Sequence, residues 1–234
     1  SLMMLGVSVK NGLEIILSSK ITSLPYILMT KKIIERIGGT VKIQNRKIFI
    51  EQFKEKLIPE QSVESDWSSA SYFFSLAALS KSVELTLSKF RKFSLQGDSR
   101  LVDIYKKFGV ETIFGDENIT LRKNKISLPK SIYLDLIDNP DLAQTILITC
   151  LGLKIDCTLT GLHTLKIKET DRLVALKNEI EKFEVDKIEI TKDSITLENN
   201  LDLKHDVTIN TYNDHRMAMS FAPLSLLVPI NINN

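Results

Sequence analysis

The chain has 234 residues, 43% of them hydrophobic and 26% charged, with 31 Lys and Arg against 29 Asp and Glu. That length and makeup suit one large domain or two modest ones of a soluble globular protein. The near balance of charge, spread along the chain, excludes a nucleic-acid protein working through a dense basic face. It leaves room for a local basic pocket of the kind a small anionic substrate needs.

In chain order, residues 1–6 read as the middle of a helix that has lost its beginning. A strand follows at 13–18, then a helix through 31–39 and two strands at 40–44 and 47–51. Residues 54–65 are polar, contain Pro59 and show no period, so a lobe boundary is expected there, dividing the chain into 1–63 and 64–234. Next come a helix at 68–79, a strand at 83–87, a helix from 101 and strands at 110–114 and 118–122. The last stretch gives a strand at 132–137, a helix at 141–151, a strand at 158–162, a helix at 173–183 and strands at 187–191, 194–198 and 207–210. A final helix is predicted over 214–227, and residues 230–234 are expected to stop without a closing element. Both ends thus suggest an excised fragment.

Leu101, Ile104, Tyr105 and Phe108 keep helical phase, as do Leu173, Leu176 and Ile180 with Phe183 slightly off it, and the strand pairs alternate apolar and polar. Ile37, Phe108 and Phe183 close equivalent helices, a spacing of roughly seventy residues that is too long for a solenoid. The fold class is therefore α+β, built from copies of a strand–helix–strand–helix–strand–strand unit. Cys150 and Cys157 have no metal-type spacing and read as buried thiols in a reducing compartment, the cytoplasm. The longest apolar run, 221–230, is half of what a membrane span needs.

Charge is concentrated where strands pass into helices. Lys168, Glu169, Asp171 and Arg172 stand together at one helix entrance. They are either a solvated first turn with acids near the positive helix end or a site where cations grip an anion and Glu169 handles a proton. Asn213 or Asp214 can cap another helix, which puts His215 and Arg216 in its first turn, a poor place for a cation unless an anion is bound. Asp141 is an N-terminal helix acid or a carboxylate aimed into a cleft. Ser23, ahead of Pro25, reads first as a cap, and the hydroxyls of Ser68, Ser69 and Ser71 as caps and close-packing groups. His163, His205 and His215 lack ligand spacing, so no metal is expected.

These motifs resemble, in order and spacing, the 3-phosphoshikimate 1-carboxyvinyltransferase (EPSP synthase) family over essentially the whole chain. The strings at 168–172 and 213–219 are highly specific to it. The resemblance implies two lobes, each with three βαβαββ copies, and an active site in the cleft between them. It implies enolpyruvyl transfer from phosphoenolpyruvate to the 5-hydroxyl of shikimate 3-phosphate, releasing phosphate, with no metal or organic cofactor. By position it makes Asp141 and Glu169 the catalytic carboxyls. It assigns Ser23, Tyr26, Asp141, Thr164 and Lys168 to shikimate 3-phosphate, and Arg172, His215 and Arg216 to phosphoenolpyruvate. Thr164 stands where the family often has Asn, and the family's amino-terminal motifs have no counterpart. The partners expected are thus the two substrates and the missing remainder of the chain, with neither nucleic acid nor membrane. Two alternatives share the fold: the sister enzyme acting on UDP-N-acetylglucosamine, which relies on a cysteine in a segment not present here, and a non-catalytic binding domain.

Overall fold

The computed structural model describes residues 1–18, 21–53 and 62–233, so most of the expected lobe boundary at 54–65 lies outside the described residues. By compactness the described chain forms two units, one of Ser1–Glu64 with Phe93–Gly97, the other of Ser65–Lys92 with Asp98–Asn234.

The smaller unit contains α1 (Leu2–Gly6), β1 (Leu13–Ile16), α2 (Leu24–Arg36), β2 (Val41–Gln44) and β3 (Lys47–Ile50). Its sheet has the antiparallel order β1–β3–β2. The hairpin between β2 and β3 turns through Asn45 at φ 53°, a residue type that tolerates the left-handed region two-residue hairpins require. Ile48 and Ile50 alternate onto the buried face of β3, where they join Met3, Ile34 and Val41 in a small core.

The larger unit opens with α3 (Trp67–Leu79), β4 (Glu84–Ser88), α4 (Leu101–Lys106), β5 (Val110–Phe114) and β6 (Asn118–Lys123). It continues with β7 (Ser131–Asp135), a 3-10 turn at Pro140–Leu142, α5 (Ala143–Leu153), β8 (Asp156–Thr160), a 3-10 turn at His163–Ile167, α6 (Arg172–Glu181), β9 (Lys187–Ile190) and β10 (Ile195–Glu198). It ends with β11 (Val207–Asn210), α7 (His215–Phe221), a 3-10 turn at Ala222–Leu226 and β12 (Ile230–Asn233).

Sheet order exposes the repeat directly. The orders β4–β6–β5 and β8–β10–β9 reproduce β1–β3–β2, and β7 lies parallel beside β8 to complete one βαβαββ copy. The pair β11 and β12, again parallel and joined through α7, repeats β7, α5 and β8. The α+β fold of repeated units read from the sequence is therefore present.

Burial explains why α3 and α5 look unlike the other helices. Ten residues of α3 and nine of α5 are buried, because these helices are apolar nearly all round and pack against each other. Their hydroxyls pair where the helices cross: Ser71 Oγ lies 3.0 Å from Thr145 Oγ1, and Thr149 Oγ1 lies 2.8 Å from Ser75 Oγ and 2.9 Å from the Tyr105 hydroxyl, whereas the buried amide of Gln144 in α5 finds no partner among the described residues. Such pairing avoids a cost of about 1–3 kcal/mol for each buried orphan. By contrast α6 is amphipathic and buries Leu173, Leu176 and Ile180.

Several details differ from the sequence reading, among them the helix expected over 31–39, which begins at Leu24 and ends at Arg36. The helix expected over 214–227 ends as α-helix at Phe221, since Pro223 lacks an N–H, and continues as a 3-10 turn. The strand expected to reach 137 stops at Asp135, whose carboxylate accepts from the Ile137 N–H at 3.0 Å and turns the chain. The chain's last described residues form β12, with Ile230 opposite Val207, where no element was expected. Among the described residues no helix is long and apolar enough to cross a membrane.

Candidate active site

Three strand-to-helix passages of the larger unit bring their charged residues together. The first leaves β7 and enters the 3-10 turn that carries Asp141. Its path runs close over Gly161, whose φ is +76° and where an added Cβ would sit 2.5 Å from the Ile137 nitrogen, so only glycine fits. The second passage ends at Asp171, whose side chain caps α6 by accepting from the Leu173 and Val174 N–H groups. The third ends at Asp214, which caps α7 by accepting from the Arg216 N–H at 2.8 Å. Of the two caps the sequence offered for that helix, Asp214 is the one used.

Arg172 is the hub. Its side chain is 1% exposed, and its fork meets three carboxylates. Nε donates to Asp214 Oδ2 at 2.6 Å, Nη1 to Asp141 Oδ1 at 3.0 Å and Nη2 to Glu169 Oε2 at 2.5 Å. Asp141 is in turn shared by three cations. Lys168 Nζ lies 3.4 Å from Oδ1, and Arg216 Nη2 lies 3.5 Å from Oδ2, on the other oxygen from Arg172. One carboxylate thus already bridges the two arginines, as a bound anion would have to. Lys168, Arg172 and Arg216 face Asp141, Glu169 and Asp214, so their charges balance.

Around this hub the surroundings are polar and buried. Asp98 is 1% exposed and accepts from Ser68 Oγ at 2.6 Å and Asn139 Nδ2 at 3.1 Å. Burial pushes its carboxyl above the ordinary range, and those two hydrogen bonds pull it part of the way back. Burial also raises the Tyr72 phenol, against the pull of Arg216 and Arg172. At Arg216 burial opposes the charge, yet Asp141, with Tyr72 and Asp98, outweighs it and leaves the guanidinium above its ordinary value.

Of the residues expected at the site, the structure brings Asp141, Lys168, Glu169, Arg172 and Arg216 into one network. His215, the first residue of α7, is exposed and takes no part in these ion pairs. Thr164 lies in the 3-10 turn before Lys168, and its Oγ1 is buried with no hydrogen-bond partner among the described residues. Ser23 and Tyr26 belong to the smaller unit. Ser23 does not cap α2: its backbone is left-handed at φ 52° and its side chain makes no capping bond. The hydroxyl expected as a helix cap is therefore not spent on the helix. Sequence reasoning left Asp214, Asp98 and Asn139 without a site role. Asp214 lay inside the family string at 213–219, and that was the signal for it.

A repeated α+β fold whose helix starts converge on a buried arginine–carboxylate network is the architecture of an enolpyruvyl-transferase lobe. The family model for EPSP synthase (3-phosphoshikimate 1-carboxyvinyltransferase) matches residues 1–233, and the chain belongs to that family. Among curated relatives, the 3-phosphoshikimate 1-carboxyvinyltransferase of Bacteroides fragilis strain YCH46 is 38% identical over 232 residues, 98% of this chain and 56% of the relative. That of Colwellia psychrerythraea is 33% identical over 237 residues, all of this chain and 54% of the relative. The chain spans about half the length of the curated relatives it matches. An EPSP synthase structure from Acinetobacter baumannii covers 99% of the chain with a TM-score of 0.76 at 21% identity, a likeness of fold, and 54% of that structure is matched.

Proposed function

We propose that the protein acts in the transfer of the enolpyruvyl group from phosphoenolpyruvate to the 5-hydroxyl of shikimate 3-phosphate, with release of phosphate. The observation that carries this reading is the carboxylate of Asp141, held between Arg172, Arg216 and Lys168. Cations fixed before the substrates arrive cost no reorganisation when charge develops, and they act on phosphate and carboxylate in a water-poor site.

In this reading Asp141 takes the proton of the attacking hydroxyl while Lys168 holds that oxygen. The oxygen bonds to the central carbon of phosphoenolpyruvate as Glu169 protonates the methylene carbon. Glu169 then takes a proton back, the carbon–oxygen bond to phosphate breaks, and phosphate leaves as hydrogen phosphate, carrying the proton that Asp141 had taken. Arg172 and Arg216 grip phosphoenolpyruvate, with His215 beside them. Glu169 is the network member with the most exposure, at 46% of its side chain. A substrate carboxylate that replaces it on Arg172 would free it for proton transfer. The assignments of Ser23, Tyr26 and Thr164 to shikimate 3-phosphate, and of residues 1–63 and 64–234 to different lobes, rest on the resemblance.

The 234 residues match only about half of each relative, so we expect this span alone to fall short of turnover. Titration with shikimate 3-phosphate and with UDP-N-acetylglucosamine tests the substrate class. A saturable response to the first alone is expected. A response to the second alone would assign the chain to the sister chemistry, and silence to both would leave it a binding module for something else.

A further inference from the structure

The side of β11 that faces away from β12 is held by a helix. Thr208 and Asn210 turn their backbone groups to that side, and α6 meets them with an ion pair between Glu179 and Lys182. Lys182 Nζ donates to the Thr208 carbonyl at 2.9 Å, and Glu179 Oε2 accepts from the Asn210 N–H at 2.9 Å. Glu179 Oε1 accepts from the Tyr212 hydroxyl at 2.7 Å. Glu179 is fully buried, at 0% exposure, so its own bonds to Asn210 and Tyr212 are shielded from water. The chain they hold then passes through Tyr212 and Asn213, both left-handed at φ 56° and 55°. Two adjacent side-chain-bearing residues seldom adopt that backbone unaided. Directly after them come Asp214, which caps α7, and Arg216.

We infer that Glu179 is a positioning residue for Arg216. Helix α6 grips the passage from β11 to α7 at two heights. Arg172 binds Asp214 at the helix start, and Glu179, two turns further along, binds Asn210 and Tyr212. The first grip ties the two arginines through a charge. The second fixes the left-handed turn that aims the start of α7. The inference rests on the functional reading for what Arg216 binds, and on the geometry alone for how Arg216 is held.

The test compares wild type, Glu179→Ala, Glu179→Gln and Tyr212→Phe by amide hydrogen exchange, with the β5–β6 hairpin as reference, and by titration with phosphoenolpyruvate. Glu179→Ala should speed exchange over 210–216 by about tenfold or more while the reference stays within roughly threefold. Glutamine keeps an acceptor for Asn210 and a donor to the Tyr212 oxygen, so it should restore most of the protection. Tyr212→Phe, which removes one bond only, should fall between and still fold. Affinity for phosphoenolpyruvate should drop by about tenfold in the alanine variant and recover in the glutamine one. Unchanged exchange over 210–216 in Glu179→Ala would overturn the inference. So would a loss spread evenly into the reference hairpin that glutamine does not restore. A wild-type chain silent to phosphoenolpyruvate would overturn the functional reading, while the exchange data would still decide the role of Glu179.

Discussion

Arg172 and Asp214, 42 positions apart in the chain, form a buried ion pair in which Nε donates at 2.6 Å and neither side chain is more than 1% exposed. Asp214 simultaneously caps α7 through the Arg216 N–H. The pair therefore fixes how two helix starts are set against each other. Breaking such a pair on one side leaves an uncompensated charge in a dry place, which costs about 3–5 kcal/mol. We expect Arg172→Ala to lower stability by that order, measured by urea unfolding. The double variant Arg172→Met with Asp214→Asn, which keeps the cap and removes both charges, should lose clearly less. A double variant as unstable as the sum of its single changes would contradict this. It follows that Arg216, and not Arg172, is the cleaner arginine on which to test substrate binding.

Asp98 should make stability depend on pH. Its folded-state carboxyl is raised chiefly by burial, so the native state holds the proton more tightly than the unfolded chain. The contribution is fully present below the unfolded value of about 4 and is lost as pH rises through the folded value. Urea midpoints taken at intervals from pH 4 to pH 7 should fall for wild type relative to Asp98→Asn, which cannot ionise yet keeps an acceptor for Asn139. Parallel curves for the two proteins would show that Asp98 does not titrate in this way.

Two aspartates are expected to act as plain helix caps. Asp66 accepts from the Ser68 and Ser69 N–H groups and Asp171 from those of Leu173 and Val174. Alanine at either position should cost about 1 kcal/mol, and asparagine only a fraction of that. The loss should be visible as a shift in the urea midpoint with an unchanged slope.

Much of this architecture was legible because local spacing carried it. Leu101, Ile104, Tyr105 and Phe108 are all buried, as their helical phase requires, and so are Leu173, Leu176, Ile180 and Phe183. The site motifs fell at helix starts, where caps and anion-binding groups leave a readable signature. What escaped depended on partners distant in sequence. Asp214 read as a cap, and its bond to Arg172 is visible only once α6 and α7 are packed. Glu179 drew no reading of its own, since nothing nearby in the chain announces Asn210 and Tyr212. The strand β12 is four residues long and takes its meaning from a parallel partner that begins at Val207. Ser23 looked like a cap by residue type, but its backbone is left-handed and its side chain makes no capping bond.

The most direct test of the central claim is steady-state phosphate release from phosphoenolpyruvate and shikimate 3-phosphate by a full-length protein containing this chain. Wild type, Asp141→Ala and Glu169→Gln are to be compared. If Asp141 and Glu169 move the protons, both variants should lose turnover by ~10²–10⁴-fold, with the Michaelis constant for phosphoenolpyruvate changed far less. A Glu169→Gln protein with wild-type turnover and a raised Michaelis constant would contradict the account.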